Sequence, residues 1–101
     1  MTEATIAARV PKEVHELIEQ ISVEEGVDKS TVIRRLLDLG LAEWRLENAL
    51  RKYQRGEVTL LKASEVAGIS IYEMVTIIRE REIPYRYDLS DLEEYVRKRY
   101  G

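Results

Sequence analysis

His15 is the single histidine among 101 residues and cysteine is absent, so the usual nitrogen and sulfur ligands of zinc cannot be assembled from this chain. Its neighbours Lys12, Glu16 and Glu19 set His15 on the polar side of a helix, where a solvated imidazole is expected. Adjacent carboxylates recur at Glu24-Glu25 and Glu93-Glu94, the residue type that acid/base catalysis uses. Both pairs fall in charged helical stretches, which read as solvated faces. No phosphate-cradling glycine loop, nucleophile elbow or dinucleotide glycine motif is present. The residues therefore predict no catalysis, no metal and no cofactor, and the chemistry is expected to lie in binding.

Composition narrows the class of binding. The chain is 45% apolar and 35% charged, enough apolar material for one domain or two very small ones. Sixteen basic against nineteen acidic residues leave a net charge of -3, so bulk charge does not announce nucleic acid. No apolar run approaches the ~20 residues that cross a bilayer, and the N-terminus lacks a signal-peptide core. A soluble, cytoplasmic protein with no membrane partner is expected. One Asn and two Gln beside many Glu, Lys and Arg point to growth at high temperature.

The elements that would position binding residues follow from periodicity. Ile6, Ala8 and Val10 alternate with Thr5, Ala7 and Arg9, a period of two that predicts a short strand. Pro11 suits the start of a helix, and Val14, Leu17, Ile18 and Ile21 then repeat at the spacing of one buried helical face. Gly26 is placed to end that helix and Asp28 to cap the next, which carries Val32, Ile33, Leu36, Leu37, Leu39, Leu41 and Trp44. Gly40 marks a bend or a close helix crossing. A boundary between halves is expected near Trp44 to Leu46, giving domains 1–44 and 45–101.

Beyond Gly56 the pattern predicts an extended piece from Glu57 to Leu60, a small helix over Lys62 to Ala67, a turn at Gly68-Ile69-Ser70, and a helix bearing Ile71, Met74, Val75, Ile77 and Ile78. Pro84 ends it, and Tyr85-Arg86-Tyr87 reads as extended. Ser90 and Glu93 form a capping box for a last helix with Leu92, Tyr95 and Val96.

One strand and two helices, about forty residues, rarely bury enough apolar surface to be stable alone. The strand also leaves its backbone groups unpaired, with no adjacent segment to form a hairpin. A second copy answers both demands: two strands pair antiparallel into a ribbon above interlocked helices, a homodimer through the N-terminal strand and second helix. The intramolecular alternative pairs this strand with Tyr85 to Tyr87.

In the order TIAARVPKEVHELIEQ, then GVDKSTVIRRLLDLGL, residues 4 to 44 resemble the ribbon-helix-helix family of dimeric DNA-binding proteins. The resemblance implies a ribbon in the major groove of double-stranded DNA, with Thr5, Ala7 and Arg9 of each copy at base edges. Arg9 would pair with guanine, Thr5 would exchange a hydrogen bond, and Ala7 would meet only a thymine methyl. Ala7 departs from the polar face usual in that family. The resemblance further implies a phosphate clamp at the start of the second helix, where Lys29 and Ser30 would act through backbone amides and the Lys29 ammonium. A purely structural cap by Asp28 is the competing reading of the same residues. Arg34 and Arg35 read first as solvated helix charges.

Residues 48 to 95 resemble the UPF0175 family, through Tyr53, Gly56, Ala63, Ala67, Gly68, Ser70, Ile83, Pro84, Tyr87 and Leu92. That likeness implies an antitoxin encoded beside a PIN-domain ribonuclease toxin. Read physically, Lys62 to Ile78 is a helix-turn-helix whose second helix opens Ile71-Tyr72-Glu73, poor readers of base edges. From Glu47 onward ten basic residues balance ten acidic ones, which favours a protein-binding or structural helix pair over a second DNA surface. Tyr72, Tyr85, Tyr87, Tyr95 and Tyr100 either form an interface or fill a small core in place of the absent Phe. A bound toxin is expected on the tract Ile83 to Asp91, with Arg79, Arg81, Tyr85, Arg86 and Tyr87 as its contacts.

The expected architecture is mainly α: an N-terminal ribbon-helix-helix with an intermolecular two-stranded ribbon, then a small helix-turn-helix-like domain. The expected function is a dimeric DNA-binding regulator that doubles as the antitoxin of a toxin-antitoxin pair. The alternative is an interaction module that dimerises without binding DNA.

Overall fold

A computed structural model of the chain describes residues 3–85 and 96–100. Four helices follow in order: α1 (Lys12–Glu25), α2 (Lys29–Gln54), α3 (Leu60–Ala67) and α4 (Ile71–Glu80). Residues 96–100 are also helical. The expected capping box at Ser90 and Glu93, with Leu92 and Tyr95, lies outside the described residues, as do Arg86 and Tyr87.

Each boundary has a local chemical cause. Pro11 stands at the N-cap of α1, where its missing N–H costs nothing and its carbonyl accepts from Val14 and His15. Gly26 ends α1 at φ 67°, a left-handed conformation that a side chain resists, and its N–H donates to the Ser22 carbonyl. Asp28 caps α2 by accepting from the Thr31 N–H at 2.9 Å, and hydrogen bonds from Thr31, its side chain first and then its N–H, hold the Asp28 carboxyl below the ordinary range. Thr59 and Ser70 cap α3 and α4 in the same way, accepting from Lys62 and Glu73 at 3.1 Å each. Gly68 ends α3 at φ 75°, and a Cβ built there meets no atom within 4 Å. Backbone conformation, not a steric clash, is what requires glycine at this turn.

No strand occurs among the described residues, and the expected N-terminal ribbon is absent. Residues 3–10 are exposed and carry no regular secondary structure. Alternation from Thr5 to Val10 is a local pattern, whereas a strand exists only when a neighbour accepts its hydrogen bonds, and no described segment does so. The helical content of the expected architecture stands and its ribbon is corrected.

Contacts divide the chain into two compact units, Met1–Asp38 and Leu39–Gly101, with the boundary inside α2. Helix α2 is continuous through Gly40, where a built Cβ meets no atom within 4 Å, so no close crossing forms there among the described residues.

The second unit has a true core. Ala49, Leu50 and Tyr53 from α2 meet Leu60, Ala63 and Ala67 from α3 and Met74 and Ile78 from α4, with Leu46, Val58, Val66, Ile69 and Ile83 packed around them. The three alanines let helices approach closely while Tyr53 and Met74 fill the space between. Ser64, the buried polar residue, keeps its hydroxyl satisfied by donating to the Leu61 carbonyl. The first unit is different. None of α1 is buried, and Val32, 2% exposed, is the one buried side chain among its described residues.

Candidate interaction surfaces

In the first unit the helical stripes that periodicity marks as core face outward. Val14 and Leu17 on α1 and Ile33, Leu36 and Leu37 on α2 are all exposed, Leu17 by 55% and Leu37 by 49%, and Ile6 and Val10 precede them in the same state. Ile18 and Ile21 are half-buried. Two helices can shield one stripe between them at most, and with Val23 eight aliphatic residues of this small unit stand exposed with no cover among the described residues.

Charged side chains around that surface pair with one another. Lys29 reaches Glu19 at 3.4 Å, His15 reaches the same carboxylate at 3.5 Å, and Arg35 reaches Glu25 at 3.3 Å. All are about half exposed, so each contributes little to stability. Across residues 1–38, five basic residues stand against eight acidic ones. The sites assigned to DNA bear directly on this balance. Thr5, Ala7 and Arg9 are exposed on a segment without strand structure, so their alternation does not gather them on one face. Lys29 and Ser30 do open α2, but the Thr31 N–H is taken by Asp28 and the Lys29 ammonium faces Glu19, so a phosphate there would compete with two carboxylates.

In the second unit, α3, the three-residue turn and α4 form a helix-turn-helix supported by the end of α2. The outer side of α4 exposes Tyr72, Glu73 and Thr76. Thr76 returns its hydroxyl to the Tyr72 carbonyl at 3.0 Å, which leaves this face with little to offer a base edge. Tyr72, Tyr85 and Tyr100 are all exposed, so none of them fills a core. Tyr53 does that instead.

A second surface lies at the C-terminal end of α4, where Val75, Ile78, Arg79, Glu82, Ile83 and Tyr85 line an open groove of about 380 Å³. It joins Arg79 and Tyr85, two residues expected to touch a toxin. Arg81, expected beside them, is drawn away to Glu47 at 2.6 Å, and this guanidinium holds the Glu47 carboxyl below its ordinary range. Arg86 and Tyr87 lie outside the described residues. Sequence reasoning missed Glu82, which adopts φ 55° although it is not glycine. Nothing in its neighbours marks it. Among the described residues no group of three or more His, Cys, Asp or Glu could hold a metal ion, and no helix is long and apolar enough to cross a membrane.

Comparison with known proteins places the second unit in context. The model of an uncharacterised protein family, UPF0175, matches residues 38–98, beginning one residue before the second unit. A UPF0175 protein of Archaeoglobus fulgidus is 40% identical over 60 residues, covering 54% of this chain and 69% of the relative. No solved structure matches.

Proposed function

We propose, for a chain that belongs to the uncharacterised UPF0175 family, the role of a homodimeric regulator of the antitoxin type that works by binding other macromolecules. Its first unit joins two copies, and its second unit engages a protein partner, a ribonuclease toxin of the PIN-domain type. The observation that carries this reading is the uncovered apolar surface of the first unit. Eight exposed aliphatic residues supply apolar area toward the ~800 Å² per partner that a stable complex covers. A two-fold axis lets one such patch meet its own copy, so a single sequence supplies both sides.

The regulator also binds double-stranded DNA in this reading, through Arg9 and the start of α2 at Lys29 and Ser30. A second reading, an interaction module that does not bind DNA, draws on the acidic excess of residues 1–38 and on the engagement of Lys29 by Glu19. Sedimentation of the wild type and Leu37→Glu tests the dimer. Wild type is expected as a dimer, and the variant as a monomer whose second unit stays helical; a monomeric wild type at micromolar concentration would sink the reading. Binding to the chain's own promoter across a salt series separates the two readings. The DNA-binding one expects affinity to fall steeply with salt and Arg9→Ala to weaken it, while unchanged affinity in a variant that still dimerises favours the other.

A further inference from the structure

We draw no further inference here: the strongest candidate, the exposed apolar patch of Leu41 and Trp44 on α2 in the second unit, carries nothing because nothing in the structure shows what covers it.

Discussion

Arg81 and Glu47 stand thirty-four positions apart in the chain and 2.6 Å apart in space, so the residue after α4 is tied to the middle of α2. Glu65 is held in the same way by Lys98 and Lys62, which links residues 96–100 to α3. In both carboxylates the hydrogen bond from the cation is the largest influence, and each titrates below its ordinary range in the folded chain. A folded-state value below the unfolded one adds stability that is complete above the ordinary glutamate range and is lost as pH falls through the lowered value. The second unit is therefore expected to lose stability as pH drops below about 4.5, with Glu47→Gln flattening part of that slope. Urea melts across a pH series, followed by helical circular dichroism, would show it; an identical slope in the variant would refute the assignment.

Glu82→Gly should stabilise the fold. Ile83 and Glu82 donate to the Ile78 and Arg79 carbonyls in the pattern that closes a helix with a left-handed residue, a position that glycine fills without strain. The gain expected is about 1 kcal/mol, less what glycine adds to the freedom of the unfolded chain. Thermal unfolding measures it. A variant no more stable than wild type would refute it.

Ser70→Ala and Thr59→Ala should each lower stability by about 1 kcal/mol, because each removes the acceptor for an N–H in the first turn of its helix. Replacing both should cost close to the sum, since the caps share no partner. Denaturant midpoints at unchanged slope are the measurement.

Gly40→Ala should raise the melting temperature by a few degrees. The residue lies inside a continuous helix with open space where its methyl would stand, so alanine's helix propensity is gained at no steric cost in the chain itself. A lowered melting temperature together with weaker dimerisation would instead put Gly40 against the second copy.

What could be read in the residues alone was whatever a few neighbours decide. Pro11, Gly26, Asp28, Gly68 and Ser70 each mark a helix end because capping is settled within one turn of backbone, and the apolar spacing from Ile71 to Ile78 named the face of α4 that enters the second unit's core for the same reason. Family resemblance over the second half likewise rested on residues that lie in order along the chain. Three matters belonged to the tertiary structure. The strand at Thr5 to Val10 needs a hydrogen-bonding neighbour that no local pattern supplies, so its alternation carried no sheet. The partner of Arg81 lies at a distance in sequence that side-chain type cannot choose, and it removed one cation from the surface expected to bind a toxin. The packing of Ile83 against the core of the second unit is the third, and it brings Ile83 beside Val75 and Arg79 on one groove.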